Sequence, residues 1–286
     1  MEQLARLENR IGSLKELQDL LSAIKAMAAA HMQIAQTALE SVKSYNDVVE
    51  CAIADAASMP SRTHRDWSYP AATGRSMLII LGSEHGFCGS FNRLVVERSR
   101  DVLKDSEAVA VIGRRAAAIA TGYEMTPAWI SPMATQMDGV LGTARRVAAM
   151  LEDTEIIRLV LARYRGATRF EVEVRQVLPP RPELFEPRRG HAAPLHHLRP
   201  ARLIHTLLVE LLLSELMLAL TDSFASENAA RFRVMQAANQ SIEDKLSRLT
   251  RASRQLRQDT ITSELLEIVT GSEAVSASRA KAENSI

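Results

Sequence analysis

Residues 202–271 read RLIHTLLVELLLSELMLALTDSFASENAARFRVMQAANQSIEDKLSRLTRASRQLRQDTITSELLEIVTG. The fold turns on whether this stretch is one helix. Stepping alternately three and four residues from Ile204 gives Ile204, Leu207, Leu211, Ser214, Leu218, Thr221, Ala225, Asn228, Phe232, Met235, Asn239, Ile242, Leu246, Leu249, Ser253 and Leu256; eleven of the sixteen are apolar. No proline or glycine falls between Pro200 and Gly271. A seam of period 3.5 sustained over seven heptads predicts a coiled coil rather than an ordinary surface helix. At about 1.5 Å per residue such a helix is on the order of 100 Å long. A chain of 286 residues cannot bury a rod of that length in one globule, so much of it is expected to project towards a partner.

The other end of the chain supplies a mate. The same stepping from Leu4 gives Leu4, Leu7, Ile11, Leu14, Gln18, Leu21, Lys25, Ala28, Met32, Ala35, Leu39, Val42, Asn46, Val49, Ile53 and Ala56, of which thirteen are apolar, and Pro60 ends the run. Two such seams with a compact segment between them predict an α/β protein: an antiparallel coiled coil of the N- and C-terminal helices carrying an inserted, Rossmann-like α/β domain. The expected divisions are a first helix over 1–59, a head over 74–178, a proline-rich connector over 179–200, a second helix over 201–271, and a frayed, flexible tail over 272–286.

Composition narrows the function classes. A hydrophobic fraction of 47 % beside 24 % charged residues belongs to a folded chain rather than a disordered one, and a net charge of +1 argues against a dedicated nucleic-acid binder. Cys51 and Cys88, the two cysteines, form neither a disulfide framework nor a zinc pattern and fit a reducing compartment. The opening Met1-Glu2 enters a heptad at once, so no signal or transit peptide is read there. Leu203 to Leu220 is leucine-rich, but His205, Glu210 and Glu215 interrupt it, and carboxylates at the centre of a bilayer are costly. Burial against both the first helix and the head explains that segment better than a membrane span.

Within the head, MLIIL at 77–81 runs into GSEHGFCGSFNRLVVERSRDVL, and AVAVIG follows at 108–113. Strand, glycine-containing loop, helix and strand at this spacing form a βαβ unit. A helix is expected over 136–151, then strands at 155–164 and 169–178 joined by a short turn, as an antiparallel pair at a sheet edge. The sheet should have four or five strands. The loop at 58–74 and the connector at 179–200, which holds six of the ten prolines, are expected to be irregular. His191, His196 and His197 lie in that connector without a carboxylate or cysteine at ligand spacing, which speaks against a metal site.

No phosphate-loop motif GxxxxGK[ST] occurs. The loop at 82–92 invites two enzymatic readings. Its glycines could cradle a dinucleotide, but Gly82, Gly86 and Gly89 are not spaced as GxGxxG. Cys88 could be a nucleophile activated by His85 and a helix N-terminus. Against both stands the plainer reading of a tight strand-to-helix turn with a buried thiol. No cofactor or catalytic residue is expected. On the second helix, Lys245, Arg248, Arg251, Arg254 and Arg257 recur every three residues, and each step falls about 60° short of a turn, so the cations wind around the helix. Either this is a solvated surface, or acidic partners surround it, a role that suits the guanidinium fork. AIKAMAAAHMQIAQ at 23–36 is a thin, methionine-studded helix surface suited to close packing or sliding.

These motifs together resemble the γ subunit of F-type ATP synthase. ASENAARFRVMQAANQSIEDKLSRLTRASRQLRQDTITSELLEIVTG from Ala225 to Gly271 is similar to the family's ASE, AAR, LT, RQ, IT and EIV pattern with its closing glycine. AIKAMAAAHMQIAQ, with Ile11, Ser13 and Lys15 before it, resembles the family's N-terminal block, and HGFCGSFN at 85–92 its glycine-cysteine-glycine-asparagine turn. Lys25, Ala26 and His31 depart from the usual acidic residue, methionine and lysine, and Ser83-Glu84-His85 replaces Ser-Asp-Arg, as in a divergent bacterial branch. The resemblance implies a non-catalytic rotor of the central stalk, coupling ion translocation to ATP synthesis or hydrolysis. It implies as partners the α and β subunits of the F1 ring, the ε subunit and the c-ring, peripheral to the cytoplasmic face of the bacterial plasma (inner) membrane. Carried over by motif, Arg257 and Gln258, with Arg254 nearby, are a polar catch against acidic loops of β. Leu265, Leu266, Ile268 and Val269, near the helix tip, sit in an apolar bearing, the surface from Ala23 to Ala35 faces the same collar, and Gly86, Cys88, Gly89 and Asn92 shape the foot as structural residues. The alternatives are a coiled-coil adaptor that no longer couples, a γ subunit of a dedicated ATP-driven ion pump, and an enzyme built on Cys88.

Overall fold

The computed structural model describes residues 2–59, 74–166, 168–186 and 200–283. Most of the 58–74 loop and the three connector histidines lie outside the described residues. The elements in chain order are α1 (Glu2–Ala57), β1 (Ser76–Leu81), α2 (Phe91–Val102), β2 (Glu107–Ile112), α3 (Arg114–Gly122), β3 (Trp129–Ser131), α4 (Gly139–Ala149), β4 (Ile156–Tyr164), β5 (Phe170–Leu178), a single 3-10 turn at Pro182–Phe185, and α5 (Pro200–Glu283). Two compact units divide the chain, Lys25–Val234 in one and Met1–Ile24 with Met235–Ile286 in the other. The unit holding the sheet therefore also contains the second half of α1 and the first part of α5.

In that unit five strands run in the order β3-β2-β1-β4-β5. β1, β2, β3 and β4 are parallel, with Leu78 beside Val109 and Ile79 beside Leu159, whereas β4 and β5 are antiparallel with Val160 opposite Val174. MLIIL is unbroken apolar because both faces of β1 are covered, the signature of a central parallel strand. Leu78, Ile80, Val109 and Val111 point to one side and meet Phe91, Val95 and Val96 of α2 and Ala116, Ala117 and Ala120 of α3. Ile79, Leu81, Ala110, Ile112, Ile157 and Leu159 point to the other. There they meet Val140, Ala144 and Val147 of α4, Ala35 and Leu39 of α1, and Leu212, Leu216, Ala219, Leu220, Phe224 and Ala225 of α5. The spacing of the buried residues on α2 and α4 is that of one helical face.

All sixteen seam positions of α1 and all sixteen of α5 are buried or half-buried. The leucine-rich start of α5 is long and apolar enough to cross a membrane by composition, but Leu211, Leu212, Leu216, Ala219 and Leu220 are buried in the protein core. Polar seam residues find each other: the Ser214 hydroxyl donates to Asn46 Oδ1 at 2.7 Å, which pins one register of the helix pair in a way apolar residues cannot.

In the other unit, α1 and α5 are antiparallel. Asn239 Nδ2 donates to Ser22 Oγ at 3.0 Å, and farther along α5 Arg257 pairs with Glu8. Met235, Ile242 and Ser253 are buried there, whereas every residue from Ile261 to Ser272 is exposed. α5 also runs on through Gly271 to Glu283, where the sequence predicts a tail. One glycine costs a helix only about 1 kcal/mol relative to alanine, and the alanine-rich sequence that follows favours helix. Two elements, α3 and β3, have no counterpart in the sequence reading: α3 buries only alanines and β3 is three residues long.

Candidate functional site

The strand order reverses between β1 and β4, so their carboxyl ends form the crevice where open α/β sheets take nucleotides. In this chain the crevice is filled. Thr221 to Ala230 of α5 is buried residue by residue, although the stretch reads TDSFASENAA. Its polar side chains serve the strand ends. Ser223 Oγ donates to the Leu81 carbonyl at 3.3 Å, Ser226 Oγ to the Ala162 carbonyl at 2.8 Å, and the Tyr164 N–H donates to Asp222 Oδ1 at 3.4 Å. Burial pushes the Asp222 carboxyl above its ordinary range, against the pull of the Arg175 charge and the Tyr164 N–H. A Cβ at Gly82 would stand 2.1 Å from Ala116 Cβ, so that glycine admits α3 and not a pyrophosphate.

The loop from Gly82 to Asn92 is a closed hydrogen-bonded cage. Asn92 Oδ1 accepts from the Ser83 N–H at 2.8 Å, and its Nδ2 donates to Ser83 Oγ at 2.7 Å and to Cys88 Sγ at 3.4 Å. Ser83 Oγ donates to the His85 carbonyl at 2.7 Å. Cys88 is buried, and burial raises its thiol above the ordinary value despite the Ser83 hydrogen bond. A protonated, enclosed thiol whose contact with His85 is to the carbonyl, 3.9 Å away, is no nucleophile. Gly89 takes a φ of +58°, and a Cβ added there would stand only 2.9 Å from Val234 Cγ2. Gly86, by contrast, has open space where a Cβ would go. It contributes its carbonyl, which accepts from Arg231 Nε at 3.4 Å and Nη2 at 3.3 Å.

Arg231, Glu227 and Glu84 hold this loop; the sequence reading meets Glu227 and Arg231 only within the ASE and AAR motifs and Glu84 only as a departure, and gives none of the three a role. Arg231 donates to Glu227 Oε1 at 2.5 Å and to Asn228 Oδ1 at 3.0 Å. Burial pushes Glu227 up to about 7, opposed by the Arg231 charge and hydrogen bond. Glu84 receives the Arg114 N–H at 3.2 Å and the Met133 N–H at 3.0 Å, so it caps α3. The Glu227 and Arg231 spacing of four residues was the available signal for their pairing; the capping role of Glu84 had none beyond its departure from the motif, because its partners lie on elements far along the chain.

The groove along β5 carries many charges, but they answer one another. Arg175 reaches Glu173 at 3.0 Å and Glu215 at 3.3 Å, Arg163 reaches Glu173 at 3.1 Å, and Arg181 reaches Glu50 at 3.3 Å. Among the described residues no three His, Cys, Asp or Glu converge to hold a metal ion.

In the unit of the paired helix ends, Arg254, Arg257 and Gln258 are exposed, and at 3.6 residues per turn they fall within an arc of about 100°. Lys245, Arg248 and Arg251 are exposed as well. Leu265, Leu266, Ile268 and Val269 are each more than half exposed, as is Ile261. Four of these five, all but Leu266, share an arc of about 100°. An apolar stripe left in water is a candidate contact surface. The residues that the sequence reading offers as catch and bearing thus lie exposed on consecutive turns of α5. The residues at 23–36 divide: Ala28 and Ala35 are buried, while Met27 and Ile34 are exposed.

A family model described as ATP synthase matches residues 3–275. Curated relatives named ATP synthase gamma chain include those of Fuscovulum blasticum, 27 % identical, and Paracoccus denitrificans (strain Pd 1222), 28 % identical. That of Gluconobacter oxydans (strain 621H) is 29 % identical. Each match covers 96 % of this chain and 100 % of the relative. Among solved structures, a chain of the Euglena gracilis mitochondrial ATP synthase, OSCP/F1/c-ring, superposes with a TM-score of 0.69 at 14 % identity, covering 97 % of this chain and 96 % of that one. A chain of the rotor of the same enzyme superposes with a TM-score of 0.64 at 13 % identity, covering 91 % and 99 %.

Proposed function

This chain belongs to the ATP synthase family as one of its non-catalytic gamma chains, and we propose that it performs the family's central-stalk role through the surfaces described above. As the rotor subunit it couples ion translocation in the membrane sector to ATP synthesis or hydrolysis in a ring of α and β subunits, with the ε subunit and the c-ring as further partners. The complex is membrane-associated, and we assign this chain to the cytoplasmic face of a bacterial plasma membrane, a reading supported by its bacterial relatives.

The observation that carries the residue assignment is the set of exposed side chains between Arg254 and Val269. Cations and an amide are followed within two turns by an apolar stripe that the chain leaves uncovered. Arg254, Arg257 and Gln258 engage acidic loops of β; Leu265, Leu266, Ile268 and Val269 turn in an apolar collar, where the lack of directional bonds keeps resistance to rotation low. The segment 1–59, which holds α1, and α5 from 201 to 271 serve as the shaft, and the segment 74–178 as the head. Gly86, Cys88, Gly89 and Asn92 shape the head's loop, a role supported by the hydrogen bonds of Cys88 and Asn92 within it, by those of the Gly86 carbonyl to Arg231, and by the positive φ of Gly89. An asymmetric helix pair biases otherwise equivalent β subunits by making different contacts with each, and such differential contact free energy is what coupling requires.

The test is steady-state ATP hydrolysis by matched α and β subunits with and without the chain, followed by gel filtration. Co-elution with turnover well above that of α and β alone is expected. Replacing Arg257 and Gln258 together by alanine should then lower turnover roughly tenfold, the scale of losing charge-assisted hydrogen bonds. A chain that stays apart from the ring, or joins it without changing turnover, is an adaptor and not a coupling rotor.

A further inference from the structure

Arg257 already has a carboxylate. Its Nη2 bonds Glu8 on the facing turn of α1, whereas Arg254, one turn earlier, meets no acid among the described residues. The pair is open to water, with side-chain exposures of 61 % for Arg257 and 46 % for Glu8. An ion pair in that setting is worth at most about fivefold in an equilibrium constant and is weakened further by salt. The contact uses one of five guanidinium N–H donors, so it occupies Arg257 without enclosing it.

We infer that Glu8 is an internal competitor for the catch: it holds the Arg257 guanidinium when no partner carboxylate is there, and must yield when one arrives. This rests on the reading of Arg257 as a partner-contact residue. The physical reason is the requirement of a contact made and broken at every step of rotation. A guanidinium that leaves water for a partner's carboxylate, with no alternative acceptor, is held with the full strength of a charge-assisted bond. Giving the same guanidinium a second carboxylate on its own helix pair lifts the free state's stability and brings the two states nearer balance. Glu8 also repels an approaching carboxylate, so both effects have one sign. Removing the Glu8 charge should strengthen the engaged state.

The experiment titrates the full-length chain against preassembled α and β subunits and reads the concentration giving half-maximal stimulation of ATP hydrolysis, for the parent chain, Glu8→Gln, Arg257→Ala and the double variant. Glu16→Gln, an exposed carboxylate two turns away on α1, controls for net charge. Glu8→Gln is expected to lower the half-maximal concentration about threefold to fivefold while Arg257 is present, by less than about 1.5-fold in the Arg257→Ala background, and Glu16→Gln to leave it unchanged. No change with Glu8→Gln, or the same gain with and without Arg257, overturns the inference. If Arg257→Ala itself leaves the titration unchanged, the catch assignment fails first and takes this inference with it, an outcome distinct from failure of Glu8 alone. Circular dichroism melting of each variant confirms that the helix pair is intact.

Discussion

Glu107 opens β2 with its side chain fully enclosed. Its Oε1 accepts from Arg158 Nε at 2.9 Å and from Ser76 Oγ at 3.3 Å, so one carboxylate ties β2 to β4 across β1. Burial pushes this carboxyl up, but the Arg158 hydrogen bond and charge, with help from the Lys104 N–H and Ser76, hold it below its usual range. A depressed folded value means that the stabilisation is complete above the ordinary carboxylate pKa and is lost as pH falls through the folded one. Glu107→Gln should cost about 3 kcal/mol or more in urea unfolding at pH 7, because Arg158 is left buried without its charge partner. The gap between variant and parent should narrow in acid, below the usual carboxylate range. A constant gap down to that pH would show that shape and not charge carries the contact. Nothing in the one-dimensional pattern exposes this pair, since Glu107 and Arg158 lie far apart in the chain and meet only through strand order. The motif offered Arg257 as a partner-contact residue, while the acid that Arg257 meets on α1 could not be read from the sequence.

At the scale of elements, α5 over Thr221–Ala230 and α3 together close the crevice above β1. Gly82 is where α3 comes closest. Gly82→Ala would drive a methyl into Ala116, and overpacking of this kind costs about 1–3 kcal/mol. The expected result is a lower melting temperature for the variant with unchanged rotor behaviour once assembled at low temperature. A variant as stable as the parent would mean that α3 shifts away at no cost and that the glycine is not a packing device. The seams of α1 and α5 were legible because a helix buries a stripe at fixed spacing whatever its partner. The edge pair β4 and β5 was legible because a short turn at Gly166 dictates an antiparallel return. α3 and β3 were not: a short alanine-rich helix and a three-residue strand carry too few large apolar residues to show a period, and β2, against which both lie, is what orders them.

For the whole molecule, the unit Lys25–Val234 has a core that its sheet cannot complete alone. One face of the sheet is covered by Ala35 and Leu39 of α1 and by Leu212, Leu216, Leu220 and Phe224 of α5. A chain cut to residues 74–186 should therefore fail to melt cooperatively and should bind hydrophobic dyes, whereas one cut to 25–234 should melt in a single transition by circular dichroism. Cooperative melting of the 74–186 piece would show that the terminal helices dock on a finished domain instead of forming its core.

The sequence by itself determined the paired helices, the inserted α/β class and the family, because heptad spacing, strand composition and a motif run from Ala225 to Gly271 are local properties of the chain. Only the tertiary structure decided that the polar segment TDSFASENAA is interior and fills the nucleotide crevice. It likewise decided that Cys88 is enclosed, with burial pushing its thiol up, and that Arg257 faces Glu8. The reason is physical: a polar or charged side chain has no fixed preference until its partner is in place, and those partners come from strand ends and helix faces far away in the sequence.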